Sequence, residues 1–275
     1  MRDALLSWLL TVISRTLLLR DRLTGRMVRL QAASPAEMTR LRISSGSRSL
    51  SAAYVSAGEG SPVILICHGI GERVEYWGQA QGLLREMGVS SLVFDYSGYG
   101  DSSGTVSARH CEEDAISACR HLLLADLLLK DRRSLFLLGF SLGSGVAAAI
   151  TSRVEVDGLI LCQGFSSLRE AAASVGCPGW TTSAAPDIWR TVDRMSGIDL
   201  PVLVIHGDKD GLFPASMAAR VAAACGDLGE LKVIRGVEHN TPIFTPTRDY
   251  WEPVATWVKA KSYRAAAADI ASTQA

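Results

Sequence analysis

A serine stands between two glycines in Gly139-Phe140-Ser141-Leu142-Gly143, and its setting gives the pattern chemical meaning. The apolar run at 134–139 reads as a strand and the Ala-rich stretch at 142–153 as a helix. The serine therefore occupies a sharp strand-to-helix turn, the arrangement of a nucleophile elbow. Such a turn lifts the hydroxyl clear of a sheet, strains the backbone, and needs small residues two positions to either side. Gly139 and Gly143 meet that need. The turn also sets the Leu142 N–H at a helix N-terminus, where it can stabilise negative charge developing on a carbonyl oxygen.

A serine hydroxyl is a weak nucleophile until a base takes its proton and a third group orients that base. His206-Gly207-Asp208-Lys209-Asp210 begins at the end of the apolar run 200–206. Carboxylates there project beyond the carboxyl edge of a parallel sheet. Asp210 is the preferred acid, Asp208 the alternative, and His206 is assigned to the turn. Gly236-Val237-Glu238-His239-Asn240 follows the last apolar run, 231–235, which makes His239 the candidate base. His68-Gly69-Ile70-Gly71 follows the run 62–67 and is suited to supply a second oxyanion N–H. Ile70 is the expected donor and Gly71 the alternative, with His68 holding the loop through side-chain hydrogen bonds.

These segments can meet only if the strands run side by side. Short apolar runs at 62–67, 91–95, 134–139, 158–162, 200–206 and 231–235 alternate with helical stretches at 76–87, 111–129, 142–153, 215–225 and 248–259. That alternation predicts an α/β fold, a mostly parallel central sheet with helices on both faces. The alternating stretch 49–57 reads as an early edge strand. Glu112, Glu113 and Asp114 are expected in the first turn of helix 111–129, where the dipole favours negative charge. Residues 40–262 make one domain, 164–199 form a small lid insertion, and 263–275 are a tail expected to fray from Ala265.

Composition narrows the function. The chain has 275 residues, with 28 Lys plus Arg against 28 Asp plus Glu. That balance argues against nucleic acid as a partner, since phosphate binding needs a basic excess. The six cysteines form no CxxC pair and no zinc-ligand spacing, so neither metal nor cofactor is expected and the compartment reads as reducing and cytoplasmic. The segment 4–19 is nearly all apolar, and Asp3, Ser7, Thr11 and Ser14 form a narrow polar stripe on a helix. Arg20, Arg22, Arg26 and Arg29 follow. Residues 1–30 thus read as an apolar and basic helix in contact with a membrane interface through residues 4–30. Packing on the domain or on a partner chain, or a cleaved signal or short membrane span, are the alternatives. The pattern does not specify an oligomeric state.

Six segments together resemble the α/β-hydrolase family, and within it the S33-like aminopeptidases and Bem46-like hydrolases. They are HGIGE at 68–72, FDYSGYGDSSG at 94–104, GFSLGSGVA at 139–147, GFSSL at 164–168, HGDKDGLFP at 206–214 and GVEHN at 236–240, in family order. The resemblance implies a catalytic triad of Ser141, Asp210 and His239, an oxyanion hole from Ile70 and Leu142, and hydrolysis without a cofactor. The expected reaction is cleavage of a small-molecule carboxylic ester or thioester through an acyl-enzyme. A peptidase or amidase of S33 type, or a non-catalytic membrane-tethered protein, are the alternatives. Eukaryotic Bem46-like members that remove palmitoyl groups carry a cysteine-rich N-terminus, whereas this chain has no cysteine before Cys67.

Overall fold

The computed structural model describes residues 38–129, 133–177, 179–180 and 187–273, the side chains of 129 and 263–273 excepted. The expected interfacial helix of residues 1–30 lies outside the described residues, as does part of the 164–199 insertion. Among the described residues, no helix is long and apolar enough to cross a membrane.

Eight strands form one sheet: β1 (Thr39–Ser45), β2 (Arg48–Val55), β3 (Val63–Cys67), β4 (Ser90–Phe94), β5 (Leu135–Phe140), β6 (Gly158–Cys162), β7 (Val202–Gly207) and β8 (Gly229–Ile234). Their order is β1-β2-β4-β3-β5-β6-β7-β8. The β1–β2 and β2–β4 pairs are antiparallel, and every pair from β4 to β8 is parallel. Helices follow the strands as α1 (Gly78–Glu86), α2 (Ala108–Leu129), α3 (Leu142–Ile150), α4 (Leu168–Ser174), α5 (Thr191–Met195), α6 (Ala215–Ala224), α7 (Thr241–Phe244) and α8 (Arg248–Thr273).

The strands β3 to β7 are buried along their whole length, which is why their sequences are continuous apolar runs. Alternate residues feed two cores. Leu65, Leu137, Leu161 and Val204 pack with Ala115, Val146 and Ala149 on one face. Ile66, Leu138, Ile160 and Ile205 pack with Trp77, Leu84, Trp251 and Val258 on the other. All the parallel strands end at one edge of the sheet, so the loops after β3, β5, β7 and β8 gather there.

The structure departs from the sequence expectations in four places. The stretch 49–57 is not an edge strand: β2 lies inside the sheet, and the edge is β1, whose TRLRISS buries only Ile43 and Ser45. A polar edge strand carries no apolar run to announce it. The helix expected at 76–87 is a 3-10 turn, Val74–Trp77, followed by α1. Helix α2 starts at Ala108, so the acidic trio sits one turn in, and Asp114 is buried, accepting from Ser97 N–H at 2.7 Å and Ser45 Oγ at 2.7 Å. Helix α8 continues to Thr273, past the expected end at 259 and through the Ala-rich stretch expected to fray, whose composition has high helix propensity.

Candidate active site

The turn between β5 and α3 has the geometry that its glycines suggest. Ser141 sits at φ 51°, ψ −118°, in a region that side chains seldom occupy. Its N–H is anchored on the Cys162 carbonyl at 3.0 Å. A Cβ on Gly139 would stand 2.3 Å from the Gly143 carbonyl oxygen, and a Cβ on Gly143 would stand 1.9 Å from that of Cys67. No side chain fits at either position.

The other two predicted residues meet the serine. His239 Nδ1 and Asp210 Oδ2 are 2.7 Å apart, and His239 Nε2 and Ser141 Oγ are 3.0 Å apart. A buried carboxylate can only accept, so Nδ1 carries the proton; Nε2 then holds a lone pair toward the Ser141 hydroxyl. Asp210 is itself fixed, its Oδ1 accepting the N–H groups of Leu212 at 2.8 Å and Phe213 at 2.9 Å. Burial pushes the Asp210 carboxyl pKa up, but the His239 hydrogen bond, its charge and the two N–H groups more than offset this and leave it lowered. The Phe213 ring meets the imidazole of His239 edge-on at 5.1 Å, and Phe140 flanks it at 5.5 Å.

Asp208 takes no part in this chain of bonds. Its Oδ1 accepts the N–H of Gly236 at 2.6 Å, tying the acid-bearing loop to the one that carries His239. His206 belongs to the turn: its Nε2–H donates to the Phe213 carbonyl at 3.0 Å and lies 3.4 Å from Asp210 Oδ2. Burial lowers the His206 pKa and favours the neutral ring.

The loop after β3 lies against the serine, since a Cβ on Gly69 would be 3.2 Å from Ser141 Cβ. Among the described residues, neither the Ile70 N–H nor the Leu142 N–H has a hydrogen-bond acceptor. The N–H of Gly71, the alternative donor, is likewise without an acceptor among the described residues. His68 holds the loop, its Nδ1–H donating to the Gly69 carbonyl at 2.8 Å, while Tyr96 Oη donates to the His68 carbonyl at 3.3 Å.

Two residues at the site escaped the sequence reading. Glu72, quoted above only as part of a motif, is buried and accepts the Gly69 N–H at 2.9 Å and the Trp77 indole N–H at 3.1 Å. Gln163, at the end of β6, bonds to the loops bearing both Asp210 and His239. A buried glutamate three residues from a glycine pair could have been noticed; Gln163 carries no local signal. Among the described residues, no group of His, Cys, Asp or Glu could hold a metal ion.

A family model described as the alpha/beta hydrolase fold matches residues 62–176. The chain belongs to the α/β-hydrolase family. An uncharacterised protein of Mycobacterium tuberculosis is 32% identical to this α/β hydrolase over 191 residues, covering 69% of this chain and 66% of that one. Lysophosphatidylserine lipase ABHD12 of Danio rerio is 30% identical over 183 residues, covering 58% of this chain and 46% of the lipase. The chain thus spans from under half to about two thirds of the length of these relatives. Among solved structures, a soluble variant of monoglyceride lipase from Saccharomyces cerevisiae superposes with a TM-score of 0.68 at 14% identity, over 84% of this chain and 97% of the lipase.

Proposed function

We propose that this α/β hydrolase is a serine hydrolase that cleaves carboxylic esters or thioesters through an acyl-enzyme. The observation that carries the reading is the unbroken line Asp210–His239–Ser141, with both contacts at hydrogen-bond length. In the proposed cycle, His239 Nε2 takes the hydroxyl proton as Ser141 Oγ bonds to the acyl carbon. The Ile70 and Leu142 N–H groups hold the resulting oxyanion. Its collapse breaks the bond to the leaving group, which receives the proton from His239. Water then repeats the sequence and frees the acid. Asp210 stays ionised throughout and stabilises the transient imidazolium.

The named activity of one relative, a lysophosphatidylserine lipase, favours esters over amides. Ser141→Ala is expected to abolish both fluorophosphonate labelling and p-nitrophenyl butyrate turnover. Labelling that survives the substitution would identify another nucleophile. A comparison of acyl esters with aminoacyl anilides of matched length separates esterase from amidase action. We further propose that residues 4–30 bring the enzyme to lipid surfaces in the cytoplasm. Deleting residues 1–30 should then weaken liposome binding and spare hydrolysis of a soluble short ester.

A further inference from the structure

Among the described residues, two that are not glycine hold a left-handed backbone: Ser141 at φ 51° and Gln163 at φ 47°. They lie side by side, at the ends of the neighbouring strands β5 and β6, where Phe140 pairs with Cys162. The elbow accounts for the first. Nothing in the elbow requires the second, and a glutamine pays a steric penalty there that a glycine would escape.

What the unusual backbone achieves is visible in the carboxamide. The Gln163 side chain is completely buried, and all its polar capacity is directed sideways across the sheet edge. Its Oε1 accepts the Gly207 N–H at 2.6 Å, at the head of the loop that bears Asp210. Its Nε2 donates to the Glu238 carbonyl at 3.0 Å and lies 3.4 Å from the His239 carbonyl, on the loop that bears the base. The donor and acceptor assignment is forced, since an N–H faces the oxygen and carbonyls face the amide nitrogen. One rigid planar group therefore bridges the acid loop and the base loop, alongside the Asp208–Gly236 bond. The backbone does not leave this to chance elsewhere either: Lys209 N–H donates to the Val237 carbonyl at 3.1 Å.

We infer that Gln163 is a positioning residue, whose carboxamide holds the Asp210 and His239 loops in register so that Nε2 meets Ser141. The inference rests on the serine-hydrolase reading above and adds to it a residue outside the triad and the oxyanion loop.

Gln163→Gly tests the idea, because it deletes the carboxamide while relieving the backbone. In the full chain, its unfolding midpoint should exceed that of Gln163→Ala, which keeps the strain. Its kcat on p-nitrophenyl butyrate should fall about tenfold with KM within about twofold, the mark of lost alignment. Gln163→Glu, which turns an anionic oxygen on two carbonyls, should lose at least as much. Wild-type kcat in Gln163→Gly, or a loss confined to KM, would overturn the inference. The downfield proton resonance of His239 Nδ1 gives a reading that needs no turnover. It should shift or broaden in Gln163→Gly, and an unchanged resonance overturns the brace. Persistent labelling of Ser141→Ala would instead sink the serine reading alone, with the resonance still testing Gln163.

Discussion

The carboxylate of Glu72 lies beneath Gly69 and takes its N–H at 2.9 Å, on the loop that touches Ser141. This fixes the His68–Gly69 peptide before any ligand arrives, while His68 Nδ1–H on the Gly69 carbonyl at 2.8 Å holds the next peptide, the one that carries the Ile70 N–H. Preorganised donors of this kind cost no rearrangement when charge develops in a transition state.

Glu72→Ala should therefore act on catalysis and stability together. It leaves the buried N–H of Gly69 and the indole N–H of Trp77 without an acceptor, a loss of roughly 1–3 kcal/mol of folding free energy for each. If the Ile70 N–H drifts as a result, kcat should fall by up to about 10²-fold. Urea unfolding and steady-state ester kinetics measure the two effects; an unchanged kcat would show that the loop holds without Glu72.

The two glycines of the α3 start should differ sharply in tolerance. An alanine at 143 would drive its methyl to 1.9 Å from the Cys67 carbonyl, a backbone atom of a central strand that cannot retreat. An alanine at 145 would meet Trp189 Cβ at 2.8 Å and Phe165 Cζ at 2.9 Å, a milder overlap in which the Phe165 ring can give while Trp189 moves only with its backbone. Gly143→Ala is expected to lose fluorophosphonate labelling and to destabilise by at least about 2 kcal/mol. Gly145→Ala should cost less and retain labelling.

The two aspartates of the acid loop separate by a single-substitution pair. Asp210→Asn can present its amide N–H to Nδ1, inverting the imidazole tautomer, and should reduce kcat by roughly 10⁴-fold. Asp208→Asn keeps an oxygen for the Gly236 N–H and should retain most of the activity. Comparable losses from both would mean that the acid has been misassigned.

Behind the oxyanion loop, His68 and Asp95 should give opposite and mutually masking pH dependences of stability. Burial depresses the His68 pKa to about 4 from 6.5, so between those values the unfolded chain binds a proton that the folded one refuses. Stability then rises with pH. Burial, aided by the charge of Glu75, raises the Asp95 pKa to about 7 from 3.8, so here the folded chain keeps a proton that the unfolded one has released. Stability then falls with pH. Each slope is about 1.4 kcal/mol per pH unit, and the two cancel where their windows overlap, about pH 4 to 6.5. Asp95→Asn should expose the rise and His68→Asn the fall, in urea midpoints measured across that range. Equal slopes in the two variants would contradict the assignment.

Which parts of this molecule could be read from sequence follows from the range of the interactions involved. Strands β3 to β7 are buried on both faces, so their apolar runs announced them within a residue or two. Ser141, Asp210 and His239 could be singled out because each follows a strand-length run, and the direction of parallel strands brings those ends to one edge, although β8, which precedes His239, has no buried residue. The strand β1 was missed because its only deep contacts are Ile43 and Ser45. The acidic trio of α2 was placed in the wrong turn because Asp114 serves Ser97 and Ser45, partners far away along the chain. Gln163 was invisible for the same reason: its meaning lies in loops more than 40 residues away, and a lone glutamine after an apolar run has many uses.

The hydroxyl of Ser141 precedes the imidazole of His239 by 98 residues, with β6, β7 and β8 in between. A ribosome adding roughly 5–20 residues per second makes Ser141 about 5–20 s before His239. During that interval the nascent chain holds an inert alcohol. On the proposed serine-hydrolase reading, reactivity can begin only after the final parallel strand has docked and brought His239 to Ser141.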